Sequence, residues 1–136
     1  MEETHVVTCF VMDPYGKVLL LRRSSSVGSY QGRWAGVSGY LEAAPEEQAY
    51  TELAEEVGLS SNDVTLEVVG EPLEVEDAAM DRIWVVHPFR FTVRDPSKIR
   101  LDWEHTESRW IVPSEMVSYP TVPGLADAFN RVYSLP

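Results

Sequence analysis

The chain has 136 residues, 44% of them apolar, which suits one domain with a real core. Its 22 acidic residues outnumber 11 basic ones for a net charge of −11, so it excludes a general polyanion-binding surface, and a phosphate-bearing ligand needs local arginines or a metal. A lone cysteine, Cys9, excludes an internal disulfide, the N-terminal MEETH enters no signal-peptide pattern, and no apolar run nears the ~18 residues of a membrane span, so the chain reads as cytoplasmic.

Residues 5–12 are β-rich, and Asp13-Pro14-Tyr15-Gly16 turns the chain into a second apolar strand closed by Arg22 and Arg23. Cys9 reads as a small buried hydrophobe. Residues 24–32 form a polar, glycine-containing loop, and residues 33–39 a short strand. Residues 45–57 read as a helix, because Pro45 suits a first-turn position and Gly58 a C-terminal stop. Beyond it come a strand over 64–69, continued by 72–75, and an acidic hairpin loop over 74–81 that reads as solvated. The strand over 83–93 contains Pro88, which cannot donate to a ladder and so predicts an edge or a bulge. Residues 95–98 turn, 101–106 make a polar loop, and 107–111 form a last strand. A helical turn opens at Pro113, and Leu125, Ala128, Phe129 and Val132 recur at helical spacing as a packing face.

The helix over 45–57 organises the rest. At about 100° per residue Glu52, Glu55 and Glu56 share an arc of roughly 100°, beside an apolar face of Tyr50, Leu53 and Val57. Like charges at this spacing repel by ~0.2–0.5 kcal/mol per pair, and the last turn of a helix favours cations rather than carboxylates. No Lys or Arg lies between Arg33 and Arg82 to relieve them. A hard divalent cation would relieve them, since carboxylate oxygens are the ligands that Mg2+ prefers.

The run Glu52-Leu53-Ala54-Glu55-Glu56-Val57-Gly58-Leu59, with Gly39 and Glu42 before it, resembles the Nudix box, G-x5-E-x7-R-E-U-x-E-E-x-G-U, where U is a bulky aliphatic residue. Glu52, Leu53, Glu55, Glu56, Gly58 and Leu59 match in unbroken register. Two positions depart: Thr51 stands where the box has arginine, and the segment 42–45 is about two residues short, so that the first box Glu has no counterpart. Gly39 aligns with the box glycine across that gap, and Gly32-Arg33-Trp34 matches a Gly-x-Trp that precedes the box in the family.

The resemblance implies a single Nudix domain over 1–136 with its box at 39–59, and an α/β/α sandwich whose mixed sheet is covered by helices on both faces. It implies a pyrophosphohydrolase that splits a nucleoside diphosphate linked to another moiety, with Mg2+ or Mn2+ held by Glu52, Glu55, Glu56 and the Ser38 carbonyl. The general base is Glu52 or, from the later loop, Glu104; His105 is the lesser candidate. Arg22, Arg23, Arg33 and Trp34 are candidate substrate contacts, and an arginine among them is a candidate brace for the box glutamates in place of Thr51. Tyr30, Trp34, Trp84, Trp103 and Tyr119 are candidate stacking surfaces for a base. The expected partner is a small nucleotide, with no nucleic acid and no membrane, as a monomer or a homodimer. The rival readings are a non-catalytic Nudix-fold module that binds a nucleotide or sugar phosphate, and a structural domain with a relict box.

Overall fold

The computed structural model describes residues 1–134, so the last two residues of the expected 1–136 span lie outside the described residues. Two strands carry the centre of the sheet: β1 (Glu2–Met12) and β7 (Arg82–Val93) run parallel from Glu2↔Arg82 to Met12↔Thr92. Beyond β1 the sheet continues through β2 (Val18–Arg23) to β3 (Trp34–Ala35), while β4 (Val37–Tyr40) also pairs with β1 and β8 (His105–Ile111) with β2. On the other side β7 carries β5 (Val64–Val69) and β6 (Leu73–Asp77). All pairings but β1–β7 are antiparallel, so the sheet is mixed.

Period-two alternation assigns each strand residue to one of two cores. Val7, Cys9 and Val11 of β1 and Leu19 and Leu21 of β2 pack with Ala49, Leu53 and Val57 of α1 (Pro45–Val57). Their neighbours Phe10, Met12, Val18 and Leu20 pack with Leu125, Ala128 and Phe129 of α2 (Leu125–Asn130) on the opposite face. Burial on both faces is why these strands read as nearly continuous apolar runs. The α/β/α layering expected from the resemblance is therefore the fold. Among the described residues no helix is long and apolar enough to cross a membrane.

Three local expectations are corrected. Residues 72–75 do not continue β5; Leu73–Asp77 is a separate strand on the other half of β7, so the first half of the acidic run is strand and the second half, 78–81, its turn. Pro88 interrupts neither β7 nor its place in the interior of the sheet. It lies where the partner of β7 changes from Val69↔Phe89 of β5 to Leu73↔Val86 of β6, a gap in the ladder where a missing N–H costs little. The 33–39 strand divides at Gly36, whose Cα approaches the Cys9 carbonyl so closely that a Cβ would lie 3.0 Å from its oxygen.

Candidate active site

The helix α1 begins on Pro45 and ends on Gly58 in the left-handed region (φ 69°), with Leu59 N–H donating to the Leu53 carbonyl at 3.1 Å. Fixing both ends fixes the rotation of its faces. Leu53 and Val57 are fully buried against the sheet, and the adjoining face brings Glu52 and Glu56 under β4. Glu56 is 2% exposed and Glu52 is 9% exposed, whereas Glu55 is at the surface.

The four remaining groups arrive from β4 and from the loop before β8. Ser38 N–H donates to Glu56 Oε1 at 3.4 Å. Gly39 lies so close to Glu52 that a Cβ would fall 2.1 Å from its carboxyl carbon. The C-terminal carbonyls of α1, which the helix itself cannot satisfy, hold the other loop: Arg100 N–H donates to Val57 O at 2.9 Å and Asp102 N–H to Glu56 O at 3.3 Å. That latch delivers Glu104 and His105. His105 is buried, with Nε2 3.7 Å from Glu56 Oε1 and Nδ1 3.6 Å from Asp102 Oδ1. Glu56, Glu104 and His105 each offer a ligand atom within 4.8 Å of the others.

The electrostatics follow from this crowding. Burial, then the Glu52 carboxyl beside it, then the charge of Glu104 push Glu56 up to about 11, against the Ser38 N–H that favours its ionised form. Glu104 is raised by burial first and then by Asp102, Glu52 and Glu55, with Arg23 opposing. Burial holds His105 below the ordinary histidine value, against Asp102. Glu56 Oε2 is buried and, among the described residues, has no hydrogen-bond partner. An orphaned carboxylate oxygen among further acidic groups is the donor set that a hard divalent cation requires. The residues present therefore fit Mg2+ or Mn2+.

A cavity of about 340 Å3 lies at these groups; Ser38, Gly39, Glu52, Glu55, Glu104 and Arg23 line it, and Tyr30, Tyr40, Trp84, Val86 and Leu125 supply the aromatic and apolar part of its wall. Asp77 stands behind the aromatic wall, buried, and accepts from Tyr30 OH, from Trp84 Nε1 at 2.9 Å and from Met80 N–H at 3.2 Å. Burial raises the Asp77 carboxyl, but these donors outweigh it and hold the group below the usual aspartate value. Tyr30 itself is left-handed (φ 51°), a conformation that needs holding in a non-glycine residue.

The arginines divide. Arg23 lines the cavity and is oriented by Ser29, whose carbonyl accepts its Nε–H at 2.9 Å. Arg22 lies 3.6 Å from Glu107, and Arg33 donates to the Thr121 carbonyl at 3.1 Å; neither lines the cavity. Trp34 does not line it either: at 5% exposure it is packed on the α2 side against Tyr119, because residues of β3 that face α2 lie across the sheet from α1. Trp103 is exposed at 66% and borders a second hollow next to Arg23 and Arg82. Among the described residues no arginine pairs with Glu52, Glu55 or Glu56. Thr51 is exposed and its hydroxyl donates to Glu47 O at 3.2 Å.

Two groups escaped sequence reasoning. Asp77 was hidden in an acidic run whose other members are solvated. Gln48, one helical turn before Glu52, is buried and donates to Glu52 Oε1 at 3.0 Å. Its i, i+4 relation to Glu52 was a visible signal.

The model of the NUDIX domain matches residues 3–132. The chain is similar to the MutT protein from Methanosarcina mazei Go1, with 22% identity, 96% of this chain and 92% of that one covered, and a TM-score of 0.79. A NUDIX hydrolase from Nitrosomonas europaea has 17% identity over 96% of this chain and 88% of its own, with a TM-score of 0.76. A C. elegans Ap4A hydrolase in a binary complex has 15% identity over 97% and 95%, with a TM-score of 0.74. At these identities the structures speak to the fold.

Proposed function

Because the chain belongs to the NUDIX domain family and is a pyrophosphohydrolase of that type, we propose that it splits a nucleoside diphosphate linked to another moiety, using Mg2+ or Mn2+ held by Glu52, Glu55 and Glu56. The observation that carries this reading is Glu56 Oε2, buried and unpartnered among the described residues, on a carboxylate with a ligand atom within 4.8 Å of one from Glu104, which lines a cavity shared with Glu52, Glu55 and aromatic side chains. A bound divalent cation supplies neutralisation of the diphosphate charge and activation of water. The protein's own groups do the rest. Arg23 lines the cavity beside Glu104, where it can meet the phosphates, and is the one arginine of Arg22, Arg23 and Arg33 in reach. Trp84, Tyr40 and Tyr30 offer flat faces for a base, and Asp77 keeps two of those rings from turning.

Glu104 takes the proton from attacking water. Its carboxyl sits at the cavity wall, and its raised pKa makes it a better acceptor than an ordinary surface glutamate. The Ser38 carbonyl remains a candidate further ligand on the same wall. Gly39 allows Glu52 to approach β4.

The test is a screen for Mg2+- or Mn2+-dependent phosphate release over nucleoside triphosphates, ADP-ribose, nucleotide sugars and dinucleoside polyphosphates, alongside thermal melts with each ion. Hydrolysis of at least one class and a metal-dependent rise in Tm are expected. Tight binding of a nucleotide with no cleavage under either ion would favour the non-catalytic module.

A further inference from the structure

Glu52 needs support that its surroundings do not obviously give. Its carboxylate is buried, no cation pairs with it among the described residues, and Thr51 beside it is turned to solvent. We propose that Gln48 is the positioning residue for Glu52, a neutral brace that holds this carboxylate in the orientation the metal requires. This rests on the reading of Glu52 as a metal ligand.

Three observations support it. Gln48 is 5% exposed, and its side-chain amide donates to Glu52 Oε1 at 3.0 Å. The other end of the amide accepts the Glu42 backbone N–H at 3.0 Å. A backbone N–H can only donate, so it fixes Gln48 Oε1 towards Glu42 and the NH2 group towards Glu52, with no flipped alternative. Gly39 lies against the same carboxylate, so Glu52 meets both a donor and a backbone wall. The short segment before α1 belongs to the device, because Glu42 lies on it and its N–H sets the amide.

A purely structural role, tying the 41–44 segment to the helix, is the competing account, and two variants separate it. Gln48→Met keeps size and loses both bonds. Gln48→Glu can still accept the Glu42 N–H, so the segment stays tied, but it turns a carboxylate towards Glu52. The first readout is Mn2+ affinity of Gln48→Met by calorimetry, expected to weaken ~10–100-fold, as when partners that orient metal ligands are removed. The second is steady-state hydrolysis at about pH 8.5, well above the ordinary glutamate range. There both variants should lose kcat by ~10–100-fold with KM within about threefold. Wild-type Mn2+ affinity in Gln48→Met, no Mn2+ binding by the wild-type protein, or wild-type kcat in Gln48→Glu overturns the proposal. Failure of the functional reading shows separately, as a wild-type protein that binds Mn2+ and cleaves nothing; the affinity comparison then still decides the role of Gln48.

Discussion

Gly39→Ala tests the site at its tightest point. An added Cβ would lie 2.1 Å from Glu52 Cδ and Oε1 and 2.6 Å from Oε2, so the carboxylate must retreat about 1.3 Å to reach contact at 3.4 Å. Gly39 is not in the left-handed region, so the backbone tolerates alanine and the penalty falls on Glu52 alone. The retreat breaks the hydrogen bond from Gln48, which costs ~1.5 kcal/mol for a charged acceptor and a few degrees of Tm. A displacement of ~1 Å at a catalytic group costs on the order of 10²-fold in rate, or ~2.7 kcal/mol in the barrier. Steady-state kinetics and Mn2+ titration should therefore show kcat down ~100-fold and weaker metal binding in a protein that still folds, melting only a few degrees below the wild type. Glu52→Asp supplies the internal check: its shorter side chain already stands back, so adding Gly39→Ala to it should cost far less than adding it to the wild type. A Gly39→Ala enzyme with kcat within threefold of wild type, or a penalty unchanged in the Glu52→Asp background, would refute the steric reasoning.

Glu56 carries a pH signature. Its folded pKa of about 11 lies above its unfolded value of 4.5, so its contribution to stability is full below 4.5 and is lost as pH rises towards 11. The metal-free Tm should fall between about pH 5 and pH 8, Glu56→Gln should flatten that slope while abolishing most activity, and a slope unchanged in the variant would reject it. Binding of Mn2+ at about pH 7 should release close to one proton, measured by calorimetry in buffers of different ionisation enthalpy; zero release would mean Glu56 is already ionised. Asp77→Ala should cost ~2–4 kcal/mol of stability by orphaning Tyr30 OH and Trp84 Nε1, and should raise KM more than it lowers kcat; an unchanged KM would place the aromatic wall outside the substrate site. Thr51→Arg should leave kcat within about threefold, since the exposed Thr51 serves Glu47 O and Gln48 already holds Glu52; a gain of tenfold or more would show the site lacks a brace.

The layers of the fold were legible because α1 carries strong punctuation, Pro45 and Gly58, and because strands buried on both faces produce unbroken apolar runs such as residues 18–21. What failed to read was pairing. Residues 64–69 and 72–75 look like one strand interrupted by Gly70 and Pro72, yet they serve different halves of β7. Pro88 then looks like an edge residue when it marks the exchange of partners. Local signals report propensity, and neither the partner nor the register is local.

The site shows the same division between what spacing carries and what only packing reveals. Helical periodicity put Glu52 and Glu56 on one arc, but it did not show that β4 closes over both while Glu55 stays in water. Nor did it show that the two last carbonyls of the helix capture the loop bearing Glu104 and His105, since that capture is a backbone event with no side-chain signature. Arg22 and Arg23 are adjacent and chemically alike; alternation along β2 puts Arg23 on the α1 face with Leu19 and Leu21, where it lines the cavity, while Arg22 on the other face pairs with Glu107. The absent box arginine looked like a missing cation only because a cation was sought. A buried amide one turn away, oriented by a backbone N–H, can meet a carboxylate without adding charge. In that position Gln48 adds no positive charge that would compete with a divalent cation for the glutamates.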